Sequence, residues 1–247
     1  MSRTVRWLNG YTSFPDPRQA ADEGLLAVGG DLSMQRLLSA YSRGIFPWYN
    51  ANEPILWWCP NPRMVLFCDE LRVARSLGKK CRQIARLEQD KAQRTYWVSL
   101  DQAFLQVISA CASSRQEAGT WIHPEMIQAY YELHRHGYAH SIELWHQEQL
   151  VAGLYGVRLG NFFFGESMFT TLSDGSKICL YYLVQYLKKQ NIQHIDCQQE
   201  TPHLASLGAR PIARADFLDL LNTHTQTPQQ PWTSGQILST GKKTPIA

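Results

Sequence analysis

The chain has 247 residues, 44% of them hydrophobic and 18% charged, with a formal net charge of +3. That length holds one large domain or two smaller ones with a full core, and the balance is that of an ordinary globular protein. No apolar stretch is long enough to span a membrane. No two of the six cysteines are separated by only two residues, which excludes a zinc ribbon or a thioredoxin-like motif. Nothing at the start reads as a secretory leader, so free thiols in a reducing cytoplasm are expected.

The first sixty or so residues are rich in turns and aromatics. Phe14-Pro15-Asp16-Pro17 is a rigid turn, and Gly24 to Ser33 reads as a short strand running into a helix cap. Ser33 is the expected N-cap of a helix over 34–43, with Gly44 as its stop. Gly29-Gly30 is not a phosphate loop, because the lysine and hydroxyl residue of a Walker motif are missing. Ile45-Phe46-Pro47-Trp48-Tyr49 and the segment from Pro54 to Arg63 follow, where prolines fix the backbone around large rings. Such a tryptophan cluster is either core or a base-stacking platform.

A strand over 64–67 precedes a basic segment in which only Glu88 and Asp90 oppose the positive charges. Arg72, Arg75, Lys79, Arg82 and Arg86 step by three and four and so share one helical face. The stripe suits a phosphate backbone and equally suits a solvated helix face; Gly78 weakens the helix by roughly 1 kcal/mol relative to alanine. Asp101 is expected to cap a helix running to Cys111, and Pro124 to open another that ends at Gly137. His134 and His136 fall at that helix end and read as charge complementarity rather than as metal ligands. Strands over 141–145, 150–157 and 161–164, with short polar links, predict a meander.

The third of these strands runs into a glutamate. Phe162-Phe163-Phe164-Gly165 precede Glu166, and Ser167-Met168-Phe169 follow it. A carboxylate in so apolar a stretch is costly unless paired, so Glu166 either bonds backbone amides in the core or holds something polar. Gly165 favours the second, since a strand glycine often marks the close approach of a ligand. A helix over 176–189 follows, then a strand over 194–197. There Asp196 and Gln198 share the face opposite Ile195 and Cys197. A carboxylate beside a carboxamide can orient an amine. A final helix over 216–222 closes the domain, and the polar, proline-bearing tail is expected to be poorly ordered.

In order along the chain stand Gly24-Leu-Leu-Ala-Val-Gly-Gly-Asp31, Tyr41-Ser-Arg-Gly-Ile-Phe-Pro-Trp48, Ile55-Leu-Trp-Trp58 with Pro60 and Pro62-Arg63, Gly119-Thr-Trp-Ile122, His140-Ser-Ile-Glu143, Gly165-Glu-Ser-Met-Phe169, Ile195-Asp-Cys-Gln198 and Ala205-Ser-Leu-Gly208. These motifs closely resemble the leucyl/phenylalanyl-tRNA–protein transferases. The resemblance implies an α+β chain: a small N-terminal α/β domain over 1–63, a GNAT-like acyltransferase domain with a mixed, mainly antiparallel sheet over 64–224, and a flexible tail over 225–247. It implies a cytoplasmic enzyme, expected to be monomeric. The enzyme would move leucine or phenylalanine, and methionine with them, from aminoacyl-tRNA to proteins beginning with arginine or lysine, marking them for degradation. No loop for coenzyme A is found, which disfavours acetyl transfer; a non-catalytic tRNA-binding module is the other rival. No metal or diffusible cofactor is needed.

Mapped onto this sequence, the resemblance implies that Trp48 and Trp121 surround the terminal adenosine of the tRNA, with Tyr41 and Tyr130 nearby. Phe163, Gly165, Met168, Leu180 and Ile195 would line the aminoacyl pocket, with Leu154 where a methionine is familiar. Glu166, Asp196 and Gln198 would form the polar catalytic rim: Gln198 orienting the amine, Asp196 relaying or stabilising its proton, and Glu166 holding the substrate. Arg75, Lys79, Arg82 and Arg86 are the residues assigned to tRNA phosphates.

Overall fold

The computed structural model describes residues 5–114, 121–228 and 230–246. Gly119 and Thr120 of the motif ending at Ile122 lie outside them. Among the described residues the strands form two sheets, of four and nine strands. The small sheet is built from β1 (Arg6–Leu8), β2 (Leu25–Gly29), β3 (Phe46–Pro47) and β4 (Leu56–Trp58), with α1 (Met34–Tyr41) between β2 and β3. Its order is β1-β2-β4-β3, with β1 and β2 parallel and the other pairs antiparallel. Ser33 caps α1 as expected, its hydroxyl accepting the Arg36 N–H at 3.3 Å. Gly44, at φ +71°, turns the chain beyond the helix. Most of the aromatic cluster is core: Trp57 is fully buried, meets Phe14 edge-on at 4.8 Å, and donates its indole N–H to Gly29 O at 2.8 Å. Trp48 is the exception, 40% exposed.

The larger unit follows in chain order. It contains β5 (Arg63–Phe67), α2 (Arg75–Leu87), β6 (Tyr96–Leu100), α3 (Phe104–Ser113), α4 (Pro124–Arg135), β7 (Ala139–His146), β8 (Gln149–Leu159), β9 (Phe162–Thr170), α5 (Gly175–Lys189), β10 (His194–Asp196), α6 (Pro202–Ser206), β11 (Arg210–Ile212), α7 (Arg214–Thr225), β12 (Gly235–Ile237) and β13 (Lys243–Thr244). The sheet order is β11-β5-β10-β9-β8-β7-β6-β12-β13, and only β9 and β10 run parallel. The mixed, mainly antiparallel sheet expected of a GNAT-like domain is present, with the β7–β8–β9 meander at its centre. Its residues alternate between two cores. Leu154 and Phe163 pack with α2 and α5 on one face, while Tyr155, Phe162 and Phe164 pack with α1, α3 and α4 on the other.

Two expectations are corrected. Asp101 does not cap α3. It sits at φ +57° and turns its carboxylate back onto β7, accepting from His140 Nδ1 at 2.7 Å and from the Ser141 N–H at 2.8 Å. The N–H of Ala103 at the start of α3 bonds instead to the buried carboxylate of Glu143, at 3.3 Å. The tail is also not loose. β12 pairs antiparallel with β6 and extends the sheet, and Trp232, Ile237 and Leu238 are buried. An unpaired edge at β6 is a liability that a short strand relieves, and a few apolar residues suffice to seat it. Buried Glu88 ties the tail down, accepting from the Tyr182 hydroxyl at 3.0 Å and from the Ser239 N–H at 2.9 Å. Among the described residues no helix is long and apolar enough to cross a membrane, and no group of three or more His, Cys, Asp or Glu could hold a metal.

Candidate active site

The site exists because two parallel strands part. β9 and β10 pair through Phe163–Ile195 and Phe164–Asp196, where β10 ends while β9 continues to Thr170. A cleft of about 710 Å³ opens beyond, with Gly165, Glu166 and Ser167 on one side and Cys197 and Gln198 on the other. Its apolar floor is Leu154, Phe163, Met168, Leu180, Leu183 and Ile195. Leu154 faces Met168 across β8 and β9. Phe163 is backed from below by the tail, its ring stacked on Trp232 at 6.1 Å. A methyl at Gly165 would meet only ordinary contacts, 3.5 Å from Ile195 and 3.6 Å from Asp196 O. Its absence therefore enlarges the cleft and is not demanded by strand packing.

A β-bulge aims Glu166. Tyr155 pairs with Ser167 and Gly156 with Gly165, so Glu166 is the extra residue of β9. Bulges redirect side chains out of the strand's alternation. Gly156 makes this one possible, since a Cβ there would stand 2.2 Å from Phe164 O. The redirected carboxylate accepts from the Tyr41 hydroxyl at 2.8 Å, the Tyr130 hydroxyl at 3.1 Å and Gln198 Nε2 at 3.4 Å. The two tyrosine hydroxyls also bond one another, and with one hydrogen on each, all three contacts are filled only when the Glu166 carboxyl supplies the third. Burial pushes the Glu166 carboxyl up to about 7, against the lowering effect of these donors. Both tyrosines are pushed well above their ordinary range, first by burial and then by the neighbouring carboxylate, so they serve as donors.

Asp196 lies elsewhere than its sequence pattern suggests. It is fully buried, and it is not among the residues lining the cleft. Arg63, itself 1% exposed, grips it at both oxygens: Nε to Oδ1 at 2.7 Å and Nη2 to Oδ2 at 2.6 Å. Asp196 Oδ1 also accepts the Gln198 N–H at 2.9 Å. Both Asp196 oxygens are engaged, and its expected place on the polar rim of the cleft is corrected: it reaches the cleft only through the Gln198 backbone. Period-two alternation fails for Gln198 because the strand has already ended. Gln198 sits at φ +56°, and the Gln199 N–H bonds Cys197 O across it at 2.8 Å. This is a γ-turn of the strained kind.

Trp48 and Trp121 both line the cleft, with Asn50, Gln199, Thr201 and His203. Trp58 braces Trp48, donating its indole N–H to Trp48 O at 2.6 Å. Arg75, Lys79, Arg82 and Arg86 are exposed on α2, away from the cleft, and none forms an ion pair with the described residues. Their neighbour Lys80 turns the other way and pairs with Asp174 at 2.7 Å. Sequence reasoning missed Arg63, Phe46, Ser167 and Cys197 as parts of the site. Only Arg63 carried a signal, as the charged residue closing a proline-fixed aromatic segment.

Residues 65–222 match the family described as leucyl/phenylalanyl-tRNA protein transferase, and residues 30–61 match that family's N-terminal domain. The chain is 50% identical over 240 residues to a leucyl/phenylalanyl-tRNA–protein transferase of Bordetella avium, an alignment covering 96% of each chain. It is 52% identical to that of Nitrosomonas eutropha over 229 residues, 92% of this chain and 94% of the relative. The chain belongs to the leucyl/phenylalanyl-tRNA–protein transferase family. It is an aminoacyltransferase, and the family's name gives aminoacyl-tRNA and protein as its substrates. A GCN5-related N-acetyltransferase from Kribbella flavida is a distant structural likeness, with a TM-score of 0.35 and 10% identity over 71% of this chain and 60% of that one.

Proposed function

We propose that this transferase moves leucine, phenylalanine and methionine from aminoacyl-tRNA to the N-terminal arginine or lysine of cytoplasmic proteins, creating a degradation signal. The observation that carries this is the cleft itself. An apolar floor of Leu154, Phe163, Met168, Leu180 and Ile195 lies directly beneath a carboxylate network, with two tryptophans at the rim. The floor suits an unbranched or γ-branched apolar side chain, Trp48 and Trp121 suit an adenine ring, and the Arg75, Lys79, Arg82 and Arg86 stripe suits phosphates.

The chemistry is aminolysis of an ester. The acceptor's α-amine attacks the aminoacyl carbonyl and a C–N bond forms. The tetrahedral intermediate then collapses with cleavage of the bond to the ribose oxygen. One proton leaves the nitrogen and one reaches the ribose oxygen. Glu166 is the group suited to carry it, because a carboxyl near 7 both accepts from an amine of about 7.7–8.0 and returns the proton. Gln198 orients the amine, and Tyr41 and Tyr130 hold Glu166. The ester is already activated, so positioning supplies much of the rate. The test is transfer of labelled leucine from charged tRNA to a peptide beginning with arginine, with a peptide beginning with glutamate as control. Transfer to neither, or to both alike, would refute the acceptor assignment.

A further inference from the structure

The Gln198 turn is a local cost that something must offset. Strained backbone persists only where the surroundings over-determine it. Around Gln198 the side-chain part of the restraint traces to one buried residue. The Arg63 guanidinium lies over two rings, 4.7 Å from the centroid of Phe46 and 4.5 Å from that of Phe217. From there it fixes both oxygens of Asp196, and Asp196 Oδ1 takes the Gln198 N–H. The turn is closed from the other side by β5, where the Met64 N–H bonds Gln198 O at 3.2 Å. Arg63 itself does not line the cleft.

We propose that Arg63 is a positioning residue for the transfer reaction: through Asp196 it holds the γ-turn that aims the Gln198 carboxamide at Glu166 and the attacking amine. Asp196 is then a fixed anion in a structural relay. The proposal rests on the transferase function above and adds to it a residue that never meets substrate. Small displacements of an orienting group are costly because a near-attack geometry tolerates little error. Arg63→Lys keeps the charge but cannot make the planar two-point grip on a carboxylate, so it should loosen the turn without removing the ion pair.

A double-mutant cycle tests this, using leucyl-tRNA and a peptide beginning with arginine. Arg63→Lys is expected to lower kcat about tenfold or more, with KM for leucyl-tRNA changed by less than about threefold. In the Gln198→Ala background the same change should alter kcat by less than about twofold, because the residue it acts through is gone. A variant of Phe217→Leu, which loosens one face of the guanidinium, provides a second cycle should Arg63→Lys fold poorly; its loss should likewise vanish with Gln198→Ala. Additive losses in either cycle, or a Gln198→Ala enzyme with unchanged kcat, would overturn the proposal. Failure of the unsubstituted enzyme to transfer leucine would instead refute the proposed function, so the two failures are distinct.

Discussion

Two carboxylates that look alike in the sequence are opposites in the structure. Glu166 faces the cleft under three neutral donors, while Asp196 is sealed against a guanidinium. The difference predicts different outcomes for similar substitutions. Glu166→Gln should fold and lose about 10²–10⁴ in rate, the range for a positioned acid–base group. Below pH 7, log(kcat/KM) for the wild type should rise with a slope approaching two, one proton from Glu166 and one from the acceptor amine. The variant should show a slope of one. Equal slopes would remove Glu166 as the proton carrier. Asp196→Asn should cost about 3–5 kcal/mol in urea denaturation because it leaves Arg63 buried and uncompensated, and should lower kcat at least as far as Arg63→Lys does, because it breaks the same link to Gln198. A variant with wild-type stability would mean that Arg63 does not depend on the Asp196 charge for compensation.

At the scale of elements, the site is made by a bulge in β9, the early end of β10 and the tail residue Trp232 packed behind Phe163. Trp232 links the tail to the floor. It stacks on Phe163, lies 4.7 Å from the Arg158 guanidinium and meets Tyr186 edge-on at 4.9 Å. Trp232→Ala should cost about 3–5 kcal/mol and weaken binding of the aminoacyl group, as measured by denaturation and by competition with leucyl-adenosine. A loose tail would make the substitution silent. The α2 stripe belongs to a different element and should behave independently. Neutralising Lys79 and Arg82 together should weaken binding to leucyl- and phenylalanyl-tRNA alike and flatten the salt dependence. Trp48→Ala should lose roughly 1–3 kcal/mol of stacking with the slope intact. An unchanged slope after charge removal would leave α2 a solvated helix.

Across the whole molecule, buried titratable groups set how stability varies with pH. Burial raises both Glu143 and Glu166 from 4.5 to about 7, so the folded chain keeps protons that the unfolded chain releases. Stability from these two groups therefore falls as pH rises from about 4.5 to about 7 and levels off above. His194 opposes them. Burial and then nearby His224 lower it from 6.5 to about 4, so its share of stability rises with pH between those values. Glu143→Gln and Glu166→Gln should each flatten the fall, read as the difference from wild type in unfolding free energy across pH 4.5–7.5. A difference independent of pH would mean that the carboxyls are not held protonated.

Local pattern carried much of this protein. Ser33 before a periodic run, Pro124 at a helix start and the Phe162–Phe164 triplet after a polar link each state their element in nearest-neighbour terms, although the strand of the triplet runs on to Thr170. The ordered motifs along the chain carried the family. Glu166 was legible as a candidate because a carboxylate amid phenylalanines is costly unless paired. What local pattern could not carry was decided by groups far apart in sequence. Asp196 reads as a cleft residue by alternation, and only Arg63, 133 residues away, draws both its oxygens inward. Asp101 reads as a helix cap until His140 and Ser141 of β7 claim it. The tail reads as loose because its few apolar residues are diluted by polar ones, yet the open edge of β6 gives them a place to pack. In each case the deciding partner is brought close by the sheet, and its energy exists only once the chain is folded.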